Sequence, residues 1–444
     1  MRKFLLAGAA TVAMTGAAGA AGLEPSQPSN THNIMLRAEP GKAIVRLDGY
    51  VFAAIGMGSN TNDKATIVSG GANRTSKTDP IGILTQFRFF PSFDAQTTGG
   101  LRYGALAEVR SNNNTSNNGG VGGAGTRTTN TLYVNRTRGY VGGDSWGTFL
   151  IGSTDGPAQT LRTGLIEAQV ADGGWNGWAP GLTRGVNPYQ FAIGGGYEYS
   201  AQKIIYLTPT FSGFRAGVSF APSTAANQSG EGINTGLAGG ARTSVVNTAF
   251  AAGTGDFNRF RNQIQVAANY SNTFGGVGVA AHVGYITSGA IKSSIPGAVG
   301  APTSARGQSI LAAGLQGSYA GFTVGGYMNT GTFNGNSNLS VAGLKTSTVW
   351  TVGAAYETGP WAVGAHYMAA STNGNLTNNA QRFDNGLGFG VTYAWAPGMR
   401  AMLEGVVGTA KERGVNLSND ATLAAGTTKA INASAVILAN QFRW

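Results

Sequence analysis

Gln263-Ile264-Gln265-Val266-Ala267-Ala268-Asn269-Tyr270, then Phe274-Gly275-Gly276, then Val277-Gly278-Val279-Ala280-Ala281-His282-Val283-Gly284-Tyr285 sets two alternating runs on either side of a glycine pair. Ile264, Val266, Ala268 and Tyr270 share one side of an extended chain, and Gln263, Gln265, Ala267 and Asn269 share the other. After the turn, Val277, Val279, Ala281, Val283 and Tyr285 repeat the pattern, with His282 on the opposite side. A period of two marks a β-strand, and two glycines between two such runs mark a hairpin.

The same rhythm extends both ways. Val45, Leu47, Val51, Ala53 and Ile55 alternate with Arg46, Asp48, Tyr50 and Phe52. Ile83, Phe87, Phe89 and Phe93 oppose Gln86, Arg88 and Asp94, and the return leg sets Leu101, Tyr103, Ala105 and Val109 against Arg102, Glu108 and Arg110. Towards the C-terminus, Trp350/Val352/Ala354/Tyr356, Trp361/Val363/Ala365/Tyr367 and Leu387/Phe389/Val391/Tyr393/Trp395 form further apolar faces. Short turns such as Gly359-Pro360 and Pro397-Gly398 take turns with long polar loops such as Ser111 to Asn130, rich in Gly and Asn.

Composition narrows the class. Charged residues are 11% of the 444 residues, where soluble domains carry about 25%. Mean hydropathy is −0.05, which also argues against a helical membrane protein. Strands with one face to lipid and one to water give both values. The net charge is +11, but the Arg residues stand singly in apolar stretches and not in the clusters that nucleic acid requires. There is no Cys, so no disulfide and no thiol chemistry.

Arg2 and Lys3, the apolar run Phe4 to Ala18 and the small residues Ala18-Gly19-Ala20 read as a secretory signal over residues 1–20. Residues 21–42 form an N-terminal lead, and 43–444 the folded unit. Past the signal no apolar run of about 18 residues remains to cross a membrane as a helix. Hydrocarbon leaves backbone N–H and C=O groups unsatisfied, so an exported chain of such strands must close on itself. The hairpin count predicts an all-β fold: a 16-stranded antiparallel transmembrane β-barrel with short periplasmic turns and long extracellular loops. Tyr270, Tyr285, Tyr319, Tyr356, Trp361 and Trp395 recur at strand ends, as interfacial girdles do.

Three segments carry a family resemblance: Arg136-Thr137-Arg138-Gly139-Tyr140-Val141-Gly142 with Trp146-Gly147-Thr148-Phe149-Leu150-Ile151-Gly152; Ile205-Tyr206-Leu207-Thr208-Pro209 with Phe211-Ser212-Gly213-Phe214; and the terminal Asn440-Gln441-Phe442-Arg443-Trp444. Together with the hairpin rhythm, the chain resembles the general diffusion porins of Gram-negative outer membranes, in particular the sixteen-stranded alphaproteobacterial type. That resemblance implies a water-filled channel for small hydrophilic solutes and ions, a homotrimer set in outer-membrane lipid and lipopolysaccharide, and a third loop folded into the lumen over about 155–196. It also implies that Phe442 and Trp444 are read by the barrel-assembly machinery, although Phe is the commoner last residue.

Alternation points Arg46, Arg88, Arg102 and Arg110 into the lumen as the basic wall of the constriction. The resemblance sets the loop acids Asp155, Glu167 and Asp172 against them, partly cancelled by Arg162 and Arg184. Glu108 shares a face with Arg110, so the two are placed to pair. Arg136 and Arg138 break the pattern, because with Leu132, Val134 and Tyr140 outward strict parity aims both at lipid, at about 2–4 kcal/mol each at mid-membrane. A β-bulge or a protected subunit interface would relieve that cost.

Positive charge and inward Arg predict a weak anion preference. A substrate-specific sugar or phosphate channel is the alternative, but inward aromatics are few: Tyr50, Phe52 and Tyr327. The three histidines, His32, His282 and His366, stand singly, and no GxSxG or HExxH motif occurs, so neither enzyme activity nor a metal or cofactor is expected.

Overall fold

A computed structural model of the chain describes residues 38–61, 64–69, 72–77, 80–111, 132–166, 186, 201–223, 260–290, 305–333, 340–341, 346–372, 381–414, 416–417, 423–424 and 426–444. Sixteen antiparallel strands form a closed barrel. In chain order they are β1 (Lys42–Asn60), β2 (Ile81–Gln96), β3 (Arg102–Ser111), β4 (Leu132–Gly143), β5 (Gly147–Ser153), β6 (Gln202–Leu207), β7 (Phe214–Ser223) and β8 (Phe260–Phe274). There follow β9 (Val277–Ala290), β10 (Ser309–Tyr319), β11 (Phe322–Thr332), β12 (Ser347–Thr358), β13 (Trp361–Thr372), β14 (Arg382–Ala396), β15 (Met399–Glu412) and β16 (Ile431–Arg443). Each strand pairs with its sequence neighbours. β1 and β16 close the ring in register from Tyr50 opposite Arg443 to Asn60 opposite Ala433. A small hairpin, Lys64–Ser69 with Ala72–Lys77, and a two-stranded ladder joining two of the long connections, Ala305–Arg306 with Ser340–Val341, lie outside the barrel sheet.

The connections alternate strictly. At one end they are tight, as at 275–276, 320–321, 359–360 and 397–398. Gly275 and Gly276 have φ of 56° and 87°, the mirror-image turn that matches strand twist, so the Gly-Gly pair closes its hairpin in two residues. At the other end the links are long, and the third, 154–201, is the longest.

The side-chain period follows from the pleat. Val45, Leu47, Ile83, Leu315 and Val436 point outward, Ile83 with 80% of its surface bare, as a lipid-facing wall requires. Outward rings pair near the short-turn end: Phe149 with Tyr206 (4.8 Å), Phe214 with Tyr270 (4.5 Å), Phe322 with Tyr356 (4.3 Å) and Trp361 with Tyr393 (4.4 Å). Amphipathic rings favour the boundary between headgroups and hydrocarbon, so this band fixes the barrel's depth. Buried apolar residues lie inside the barrel, where Tyr50, Phe52, Phe90, Met368 and Ile437 join Leu161 and Leu165 of the third long connection.

Candidate functional site: a cationic wall and an inner strap

β4 carries one residue more than β3 can pair. Glu108 faces Arg136, but Val109 faces Val134, leaving Asn135 as the extra residue of a bulge. Val134 is exposed on the outer face, while Arg136, two positions on, is buried on the inner one. The bulge therefore switches the parity of β4 and turns Arg136 and Arg138 into the lumen. Of the two explanations open at the sequence level, the bulge is the one present.

Glu108, fully buried, is the hub of the wall. Its Oε1 accepts from Arg110 Nε at 2.5 Å and lies 3.5 Å from Arg88 Nη1. Its Oε2 accepts from Asn135 Nδ2 at 3.1 Å and lies 3.4 Å from Arg136 Nε. Arg136 also donates through Nη1 to Asp155 Oδ2 at 2.7 Å, linking the wall to the root of the third connection. Thr154, the preceding residue, receives Arg138 Nη1 on its Oγ1 at 3.1 Å and Lys203 Nζ on its carbonyl oxygen at 2.6 Å. Three cations from β4 and β6 thus hold two loop residues.

From that anchor the chain runs along the inner wall. A short helix α1 (Pro157–Thr160) and the segment Leu161–Ile166 pass strand after strand over glycines. A Cβ on Gly217 of β7 would lie 2.8 Å from Pro157 Cβ, and one on Gly284 of β9 would lie 3.4 Å from Ala158 Cβ. On Gly314 of β10 it would lie 1.9 Å from the Thr163 carbonyl oxygen, and on Gly353 of β12 it would lie 2.9 Å from Ile166 Cβ. The glycines are the groove in which the strap lies. Arg162, within the strap, sits 5.7 Å from the ring of Tyr327.

The expected site residues divide. Arg88, Arg110, Arg136, Arg138 and Asp155 come together. Arg102 does not join them: it binds Asp94 near the short-turn end at 3.1 Å, where Asp94 also accepts from the Tyr140 hydroxyl and, at 2.7 Å, from the Ala38 amide. Arg46 donates to Ser92 Oγ at 3.2 Å. Instead of facing the basic wall across a gap, Asp155 is in direct contact with it. Residues 1–37, Glu167, Asp172, Trp175, Trp178, Arg184 and Tyr189 lie outside the described residues. Lys203 was not anticipated, although the outward Ile204 and Tyr206 beside it fix its inward direction by parity. Among the described residues no group of three or more His, Asp or Glu is placed to hold a metal ion.

A closed, lipid-faced barrel with a strap inside its lumen and a charged inner wall defines an outer-membrane channel. Residues 7–414 match the family model described as Gram-negative porin, and the chain belongs to that family. No curated protein sequence matches it. Among solved structures it is similar to the anion-selective porin of Comamonas acidovorans, at 15% identity and a TM-score of 0.51, over 91% of this chain and 100% of that one. It is also similar to the outer membrane channel DcaP of Acinetobacter baumannii, at 12% identity and a TM-score of 0.51, over 92% and 100%. A loop L8 deletion mutant of OmpT, an outer membrane protein of Vibrio cholerae, aligns at 12% identity and 0.51 over 90% and 99%. At these identities the likeness is one of fold. The protein is thus a porin of the Gram-negative outer membrane, crossing it many times as a sixteen-stranded barrel.

Proposed function

We infer that the channel passes small hydrophilic solutes by passive diffusion and weakly prefers anions. One observation carries the preference: among the described residues, five cationic side chains, Arg88, Arg110, Arg136, Arg138 and Lys203, share one linked patch with two carboxylates, Glu108 and Asp155. A permeating anion gains from that surplus and a cation loses. Arg88 and Arg110, joined by Arg136 and Arg138, form the proposed basic wall of the constriction, with Asp155, Glu167 and Asp172 as its proposed loop acids. Arg46 and Arg102 line the lumen nearer the short turns, beside Ser92 and Asp94. Passage needs no nucleophile or base, and His282 and His366 are single buried residues on different strands, which fits a channel that does no catalysis.

A sugar-specific channel would offer exposed aromatic faces along its path. Tyr50, Phe52, Phe90 and Tyr327 face inward but are buried, which favours general diffusion. A saturable block of conductance by one sugar would reverse that preference. The remaining elements of the proposal are an export signal at 1–20, a lead at 21–42, a homotrimer embedded in lipid and lipopolysaccharide, and recognition of Phe442 and Trp444 by the assembly machinery.

The test is the reversal potential of the purified protein in planar bilayers under a potassium chloride gradient. Chloride should be preferred, and more so in dilute salt, where the Debye length reaches about 30 Å at 0.01 M. Preference for potassium would overturn the selectivity reading.

A further inference from the structure

We propose that Glu108, which belongs to the wall and not to the loop, is a residue that sets the channel's ion selectivity. The inference deepens, and rests on, the reading of the chain as a diffusion channel for ions.

Glu108 reaches Arg88, Arg110 and Arg136 at 3.5, 2.5 and 3.4 Å. The Asn135 bulge that re-aims β4 also delivers its amide to the same carboxylate at 3.1 Å. Two consecutive residues, Asn135 and Arg136, thereby reach one carboxylate, which strict alternation along a strand forbids. The bulge and the carboxylate form one device. Glu108 is itself fully buried, so permeating ions do not touch it. Its charge acts from behind the guanidinium groups: it holds three of them in one patch and subtracts one unit from the field they project into the lumen. A counter-charge to the cationic wall is thus built into the wall, separate from Asp155 on the loop.

The experiment compares wild type, Glu108→Gln, Arg110→Gln and the double variant Glu108→Gln/Arg110→Gln by reversal potential in potassium chloride gradients. Glu108→Gln should raise the chloride-to-potassium permeability ratio about two- to fourfold in dilute salt, the effect of one unit charge over about 10 Å of water. The shift should fade in 1 M salt, where the Debye length is about 3 Å; a purely structural defect would persist there. Arg110→Gln should move the ratio the opposite way, and the double variant, with the wild-type net charge, should return it. If Glu108→Gln does not fold, the comparison of Arg110→Gln with the double variant carries the test. A double variant indistinguishable from Arg110→Gln, or a Glu108→Gln ratio equal to wild type, would sink the proposal. The sign of the wild-type potential judges the anion preference separately: a potassium-preferring channel that still shifts towards chloride in Glu108→Gln refutes that preference and retains the role of Glu108.

Discussion

Asn135 is one residue too many for its strand pair, and the direction of two arginines depends on it. Deleting it restores simple pairing between β3 and β4, so one half of β4 must turn over. Either Arg136 and Arg138 swing to lipid or Leu132 and Val134 swing into the lumen. An arginine at mid-membrane costs about 2–4 kcal/mol, and Glu108 and Asp155 lose partners as well. The deletion variant should therefore unfold from lipid vesicles at lower denaturant, with a stability loss of at least about 2 kcal/mol by tryptophan fluorescence. Unchanged stability would mean that the bulge does not aim these side chains. The conflict was legible in the sequence, because arginines on an apolar parity announce that something shifts the register. Which remedy the chain uses was not, since a bulge depends on the partner strand and leaves no local mark in a run such as Val134-Asn135-Arg136. Parity alone placed Arg88 and Arg110 correctly on the inner face. It carries no information on distance along the barrel, so it could not separate Arg102, which pairs with Asp94 instead.

At the scale of elements, the strap depends on inward positions that lack side chains. Of the wall glycines under the strap, Gly314 makes the tightest contact with it, since an added Cβ would meet the Thr163 carbonyl oxygen at 1.9 Å. Gly314→Val should lift Leu161–Ile166 off the wall and towards the axis. The expected result is a smaller single-channel conductance with the barrel intact, together with a stability loss of about 1–3 kcal/mol from overpacking. The matching change at Gly317, whose Cβ would meet nothing within 4 Å, should leave conductance alone. Equal conductance in all three proteins would show that the strap does not rest on β10. The abundance of glycine was legible, and its place in turns followed from turn chemistry. Its second use was hidden. A glycine inside a strand signals close approach of another backbone, but the signal does not name the visitor, and only the path of residues 154–166 supplies it.

For the molecule as a whole, two-residue alternation and the impossibility of an open edge in hydrocarbon were enough to read a closed barrel and its sixteen strands from the sequence. The seam where the first and last strands meet tests closure most directly. β1 and β16 are separated by nearly the whole chain, and their pairing runs on past β16 to the last residue: Trp444 N–H donates to the Gly49 carbonyl at 3.1 Å and its own carbonyl accepts from Gly49 N–H at 3.3 Å. The indole lies over Gly49, where a Cβ would come within 2.4 Å of it, and stacks 6.2 Å from Phe87. Removing Phe442–Trp444 deletes the partners of Val51, Tyr50 and Gly49 and exposes their backbone groups at the membrane boundary. Any of these groups left unsatisfied in hydrocarbon costs several kcal/mol. Replacing them would require β16 to slip against both of its neighbours, β1 and β15, out of the side-chain alternation that sets their register. The truncated chain, refolded from urea into detergent or vesicles, should fail to give the compact, heat-modifiable species that the full chain gives on electrophoresis. Substitution of Trp444 by Phe keeps the backbone pairs and an aromatic ring, so it should fold. A truncated chain that folds as well as the intact one would mean that the barrel does not need these residues to close.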